Sequence, residues 1–167
     1  MEELLQVFDG NKNMLDESIE RSLKKTLEND KHFMIIMIFI ENNNKYLIQK
    51  VSKLKDDTYA TTGGHVTFGD NGFITCKKEV KEELGIDLLD ENIEYVNTID
   101  YKNCFIEVYY SNQLIDEKSI ILQESEVESI SWMSKEEIYD LIDKGLFRKG
   151  NIEPFNMILE YKKGKIL

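Results

Sequence analysis

Apolar residues along the chain fall mostly into short runs separated by polar turn formers, a spacing that predicts strands more often than helices. Residues 4–8 read as a short strand, and Asp9, Gly10, Asn11, Lys12 and Asn13 after it are turn chemistry. Residues 18–28 are polar and predict a surface helix that stops at Asn29 and Asp30. Residues 33–40 are apolar without a break, the pattern of a central strand covered on both faces. Glu41, Asn42, Asn43 and Asn44 then turn the chain into a second strand at 46–51, so the pair reads as a hairpin. Residues 52–57 form a charged loop, and 58–62 deliver the chain to Gly63 and Gly64.

The period lengthens after these glycines. Phe73, Cys76, Val80 and Leu84 recur at helical spacing within one narrow arc, the expected buried face. Glu79, Glu82 and Glu83 stand at i, i+3 and i+4 and share a second arc, while Lys77, Lys78 and Lys81 point elsewhere. Gly85 supplies the C-terminal stop, so all three carboxylates fall in the last two turns, at the negative end of the helix dipole. Each such charge costs roughly 0.3–1 kcal/mol, and each like-charge contact roughly 0.2–0.5 kcal/mol more. A divalent cation held among the three would remove both penalties, and hard carboxylate oxygens point to Mg²⁺ or Mn²⁺.

Two more strands follow at 93–99 and 104–114, with alternation at Phe105, Glu107 and Tyr109. Residues 116–124 are a connection around the apolar Ile120, Ile121 and Leu122. A short strand at 130–133 precedes Ser134, which caps a helix with Glu137 in the capping-box position and Gly145 at its end. Residues 155–161 predict a final helix.

Composition narrows the function classes. A chain of 167 residues with 41% hydrophobic content fits one domain, 1–167, in which about 1–31 form an N-terminal strand and helix extension. A net charge of −11 argues against a nucleic-acid backbone binder and leaves room for a small phosphorylated ligand held through metal. The start lacks a basic leader region and the longest apolar run is too short to span a bilayer, so a cytoplasmic location and no membrane partner are expected. Cys76 and Cys104 offer neither a disulfide framework nor zinc spacing and read as core thiols. Asp9, Asn11, Asn13 and Glu20 match part of a calcium loop, but Met14 stands where that loop needs glycine. Gly64 and Gly69 have P-loop spacing, yet Asp70 and Asn71 follow where Lys and Ser or Thr are required.

From Gly64 onward the chain resembles the signature of the Nudix hydrolases, G-x5-E-x7-R-E-U-x-E-E-x-G-U with U aliphatic. Seven of the nine fixed positions match without a gap, and the departures, Asp70 for Glu and Lys78 for Arg, keep their charge. The resemblance implies an α+β fold, a Nudix-type α/β/α sandwich around a mixed β-sheet. It further implies a Mg²⁺-dependent hydrolase that cleaves the diphosphate of a nucleoside diphosphate linked to another moiety. On that reading Glu79, Glu82, Glu83 and the carbonyl of Gly63 hold metal, and Gly63, Gly64, Asp70 and Lys78 form the diphosphate loop. Glu82, Glu83 and the more distant Glu126 are the candidate catalytic carboxylates. A homodimer is compatible with it.

Outside the box, residues 46–55 leading into Gly63, Gly64, His65 and Val66 are similar to the branch that includes isopentenyl-diphosphate isomerases. His32 falls near a metal-binding histidine of that branch, or is an exposed strand-end residue. Isomerase chemistry is opposed by Gly63, which stands where that enzyme needs a catalytic cysteine. A Nudix-fold binding or regulatory module with weak turnover is the other alternative, suggested by Asp70 and Lys78.

Overall fold

The long apolar run does become the middle of the molecule in the computed structural model, which describes residues 2–166; Met1 and Leu167, the ends of the expected domain, lie outside the described residues. In chain order the elements are β1 (Leu4–Asp9), β2 (Met14–Glu20), β3 (Lys31–Asn42), β4 (Lys45–Val51), β5 (Tyr59–Ala60), β6 (Thr62–His65), α1 (Gly72–Leu84), β7 (Glu94–Tyr101), β8 (Cys104–Ser111), β9 (Val127–Met133), α2 (Lys135–Asp143) and α3 (Ile152–Ile166). β3 runs parallel to β8, with Ile36 opposite Glu107, and antiparallel to β6, with Ile36 opposite Gly64. β7 closes the far side of β8. Where β6 ends, β1 takes its place beside β3, pairing Phe8 with His32.

Both faces of β3 are covered, as its unbroken apolar character requires. Met34, Ile36, Ile38 and Ile40 pack with Cys76, Val80 and Leu84 of α1 in one core. Phe39 packs on the opposite face with Ile138 of α2 and Phe155 and Ile158 of α3 in a second core. Each fully buried aliphatic or aromatic side chain there contributes roughly 1.5–3 kcal/mol. The result is the α+β mixed-sheet sandwich that the resemblance implies. No helix among the described residues is long and apolar enough to cross a membrane.

The β3–β4 hairpin turns through Asn43 and Asn44, both at positive φ (53° and 63°), which asparagine tolerates better than most residues. Only two pairs of the hairpin form, Glu41 with Tyr46 and Asn42 with Lys45. Beyond them β4 peels away from β3 and pairs along its length with β9 and briefly with β5. The two strands of the hairpin therefore open like a wedge.

Two expectations need correction. Residues 18–28 do not form a helix: β2 occupies Met14–Glu20, and a 3₁₀ turn follows at Arg21–Thr26. Ile19, Leu23 and Leu27 have helical spacing, but the loop before them is pinned by Asp9 Oδ1, which accepts from the backbone N–H groups of Asn11 and Asn13. That turn sets up pairing of Leu5 with Ile19 and Gln6 with Ser18. The strand expected over 104–114 ends at Ser111, where pairing with β3 runs out at Ile40.

α1 begins where Asn71 Oδ1 accepts from the N–H of Ile74 at 2.9 Å. Its first residue, Gly72, sits against the buried carboxylate of Glu107, which accepts from Tyr109 Oη and pairs with Lys12, both at 2.8 Å. A Cβ at Gly72 would overlap Glu107 Oε1 and come within 2.8 Å of Tyr109 Oη. Helix propensity alone predicts that Gly72→Ala stabilises the protein by about 0.5–1 kcal/mol. The packing predicts the reverse, a loss of about 1–3 kcal/mol measured by urea denaturation, since the ion pair has no room to retreat.

Candidate active site

The helix that carries the glutamates is fixed first by its buried arc. Cys76, Val80 and Leu84 are fully buried, and Phe73 only partly so. Its lysines are drawn outward by acids: Lys77 by Asp90 at 2.6 Å, Lys81 by Asp87 at 3.1 Å and Lys78 by Asp70 at 2.8 Å. The Lys78–Asp70 bridge ties the glycine loop to the helix. On the remaining arc Glu82 is exposed, while Glu79 and Glu83 are half-buried.

Glycine is required on the facing strand. A Cβ at Gly64 would fall 2.5 Å from Glu79 Oε1, so only a bare backbone lets this carboxylate lie against β6. At Gly63 a Cβ would stand 2.7 Å from the carbonyl oxygen of Ile36 on β3. The buried Gln6 of β1 steadies the loop beyond, its Oε1 accepting from the N–H of Gly69 at 2.9 Å.

The C-terminus of the helix brings in the distant acid. Gly85, at φ 70°, donates its N–H to the carbonyl of Lys81. The carbonyls of Glu83 and Leu84 have no helical partner of their own, and they accept from the N–H groups of Gln123 and Ile121 at 3.0 and 2.9 Å. Ile121 crosses so close to Gly85 that a Cβ there would meet Ile121 Cβ at 3.1 Å. The chain then turns, and the Glu126 carbonyl accepts from the N–H of Ser52 at 3.1 Å.

These contacts frame a cleft of about 450 Å³ in the wedge between β3 and β4. Gly63, Gly64, Glu79, Glu82, Glu83 and Glu126 all line it, together with Gln49 of β4. Asp70 and Lys78 do not line it and meet each other beside it. Burial, then the charges of Glu82, Glu3 and Glu126, push the Glu79 carboxyl up to about 7. Burial, then Glu79, pushes Glu83 up to about 8. Glu83 Oε2 is buried without a hydrogen-bond partner among the described residues. A buried, unsatisfied carboxylate oxygen beside a second strained carboxylate suits a hard divalent cation, so the donor set fits Mg²⁺ or Mn²⁺. As they stand, no three His, Cys, Asp or Glu side chains among the described residues converge tightly enough to enclose an ion.

A second hollow of about 480 Å³, near Tyr46, Tyr139 and Lys162, lies away from these acids. Its one buried carboxylate, Glu41, is engaged by Lys162 and by Tyr110 Oη.

Several cleft residues escape sequence reasoning. Gln49 is buried, donates to Thr62 Oγ1 at 2.5 Å and lies beside Glu83, where it favours the charged form. Lys55 pairs with Glu126. Arg148 holds Asp56 through Nε and NH2 at 3.0 and 2.7 Å. Glu3, Arg21 and His65 reach the cleft from the N-terminal segments and β6. None carries a local signal, because each arrives from a different strand or loop. His65 is lowered to about 3 by burial and then by Arg21 and Lys24, and its neutral ring meets Lys24 Nζ at 2.9 Å. His32 is neither an exposed strand end nor a cleft residue: it is buried, stacked on Phe105 with ring centroids 4.2 Å apart.

The family model described as NUDIX domain matches residues 31–154. No curated protein sequence matches the chain significantly. Among solved structures the chain is similar to DR0079 from Deinococcus radiodurans, at 18% identity and TM-score 0.72 over 90% of this chain and 94% of that one. It is similar to a NUDIX hydrolase from Nitrosomonas europaea, at 18% identity and TM-score 0.63 over 80% and 90%. A bifunctional NMN adenylyltransferase/ADP ribose pyrophosphatase from Francisella tularensis, complexed with AMP and a Mn ion, aligns at 16% identity and TM-score 0.63 over 77% of this chain and 41% of that one. At these identities the likeness is one of fold.

The crowded carboxyls make stability depend on pH. Glu79 and Glu83 keep their protons in the native state at pH values where the unfolded chain, with carboxyls near 4.5, has lost them. Metal-free stability therefore falls as pH rises from about 4.5 through about 8. Urea melts in EDTA at pH 5, 6.5 and 8 are expected to show that decline, and Glu83→Gln to flatten it. Mg²⁺ or Mn²⁺ at ten times its dissociation constant is expected to add about 1.4 kcal/mol, or roughly 3–6 °C in melting temperature.

Proposed function

The chain belongs to the Nudix hydrolase family, and on that premise we propose that it is a divalent-metal-dependent pyrophosphohydrolase acting on a nucleoside diphosphate linked to another moiety. The observation that carries this reading is the set of desolvated carboxylates, Glu79 and Glu83 with Glu82 beside them, in one cleft with the bare backbone of Gly63 and Gly64. Glu79, Glu82 and Glu83, with the Gly63 carbonyl, would hold Mg²⁺ or Mn²⁺. When bound, the ion supplies a Lewis acid that offsets diphosphate charge and lowers the pKa of water.

The chain's own groups do the rest. Gly63 and Gly64 line the cleft, where in this reading their loop receives the diphosphate, and the Lys78–Asp70 bridge holds that loop against α1. The proton of the attacking water needs a carboxylate acceptor, and of the candidates Glu82, Glu83 and Glu126 the last, on a different element from the ligands, is that group in this reading. It lines the same cleft, is held by Lys55, and is fixed through its backbone to Ser52.

The two alternatives lose ground on geometry. Asp70 and Lys78 form their bridge at 2.8 Å in spite of the shorter acid and the missing guanidinium, which supports turnover over binding alone. A cysteine at position 63 would bring its Cβ within 2.7 Å of the Ile36 carbonyl, which speaks against isomerase chemistry at that position.

A Mg²⁺-containing panel of NDP-sugars, dinucleotides, nucleoside triphosphates and prenyl diphosphates tests the activity by phosphate or nucleotide release. On the best substrate, Glu82→Gln and Glu83→Gln are expected to lower kcat by orders of magnitude and to abolish the rise in melting temperature caused by Mg²⁺. Glu126→Gln is expected to lower kcat by about 10²–10⁴ while leaving that rise intact, the separation a proton acceptor requires. Full turnover by the box variants would remove the metal assignment.

A further inference from the structure

The cations around the cleft are not equivalent. Lys55 is committed to Glu126, and Arg148 is committed to Asp56 through two hydrogen bonds. Arg21 lines the cleft and pairs with Glu3 at 3.0 Å, but both side chains of that pair are substantially solvated. Exposed pairs of this kind are held weakly and exchange readily for a better anion. Lys24 has no carboxylate partner among the described residues. Its ammonium rests 2.9 Å from His65 Nε2 and 5.1 Å from the centroid of the Phe33 ring, and His65 itself lines the cleft. Phe33 and His65 stack with centroids 5.8 Å apart, so the platform under Lys24 is built rather than incidental.

A chain of net charge −11 has acids in excess, yet it holds this ammonium against a neutral ring and an aromatic face. Both cations come from the 3₁₀ turn Arg21–Thr26, which precedes the matched residues 31–154. The turn is seated by the N–H of Arg21 on the Glu3 carbonyl at 2.9 Å. β1, at whose start Glu3 lies, in turn bonds the chain leaving β6: Gln6 N–H donates to the Val66 carbonyl at 3.0 Å.

From this arrangement we infer that Arg21 and Lys24 form an anion-binding pole at the rim of the cleft, and that the preferred substrate carries a further phosphate beyond the diphosphate that is cleaved. The inference rests on the proposed function for its substrate half. A terminal phosphate offers several acceptor oxygens to a planar guanidinium fork and a point-charge ammonium, and it displaces Glu3 from Arg21. A neutral sugar in that place would leave Lys24 without a counter-charge.

Isothermal titration calorimetry with inorganic triphosphate, in EDTA, tests the pole without metal or turnover. The full chain is compared with Arg21→Gln/Lys24→Gln, with the charge-conserving Arg21→Lys/Lys24→Arg, and with Glu3→Gln. Expected are a Kd at least tenfold weaker in the first variant, one within about threefold of the parent in the second, and a tighter one in the third, where the competing carboxylate is gone. Melting curves confirm that each variant is folded, and Glu3→Gln decides the question should the first fail to fold. Equal affinity in the parent and the folded double glutamine variant, or no tightening in Glu3→Gln, overturns the pole.

Steady-state kinetics with Mg²⁺ test the substrate half. The parent is expected to prefer ATP to ADP-ribose in kcat/KM, and the double glutamine variant to reduce that ratio at least tenfold through KM. A parent without the preference, or a ratio unchanged by the substitutions, overturns the substrate assignment. Absence of hydrolysis of any nucleotide would fall on the proposed function, with calorimetry still deciding the pole.

Discussion

Crowding carboxylates at the C-terminal half of one helix is unfavourable, and much of the structure around the cleft serves to hold them there. Glu79, Glu82 and Glu83 repel one another and the helix dipole, and Glu3 and Glu126 add to the field from outside. The cost is met by burial elsewhere on the same helix. Cys76, Val80 and Leu84 lock into the core under β3, so the helix cannot rotate its acids into solvent. Gly64 then presents no side chain against Glu79, and the two surfaces close.

The cleft exists because two neighbouring strands part company. After two hairpin pairs, β4 leaves β3 for β9, and the wedge between them receives groups from both sides. β3 and β6 supply a floor of backbone and apolar side chains, β4 supplies Gln49, and α1 supplies the acids. The segment after β8 reaches the site by satisfying helix-end carbonyls, those of Glu83 and Leu84, which would otherwise lack donors. A structural need of the helix terminus thus carries Glu126 to the place where it faces the box. The N-terminal hairpin does the same on another side, with Gln6 bonded to the glycine loop and Arg21 at the rim.

Charge is distributed unevenly across this small space. Lys77, Lys78 and Lys81 each find an acid on the outside of the helix and pair with none of the three glutamates. Inside, Lys55 and Arg148 are neutralised locally, while Arg21 and Lys24 are held by weaker contacts. A cleft with an acid-rich wall and a lightly countered basic rim has a direction, and a polyanionic ligand bridged by a cation on one side matches it.

The sequence by itself determined the parts that depend on neighbours in the chain. The period of Cys76, Val80 and Leu84, the stop at Gly85, the cap at Ser134 with Glu137, and the unbroken run at the heart of β3 follow from propensity and spacing over a few residues. The box spacing likewise put Glu79, Glu82 and Glu83 on one arc and paired Asp70 with Lys78. Tertiary structure alone decided what pairing across long separations creates. Residues 14–20 became a strand because β1 offered an edge, although their polar composition favours a helix surface equally well. Glu107 was buried because Lys12 and Tyr109 satisfy it, and His32 was turned onto Phe105 instead of the cleft. Gln49, Lys55, Arg21 and Lys24 carry no pattern that marks them, since their meaning comes from the opening of β4 away from β3 and from the seating of the N-terminal turn against β1. Local spacing encodes which face of an element is apolar; which distant groups meet at that face is set only when the sheet closes.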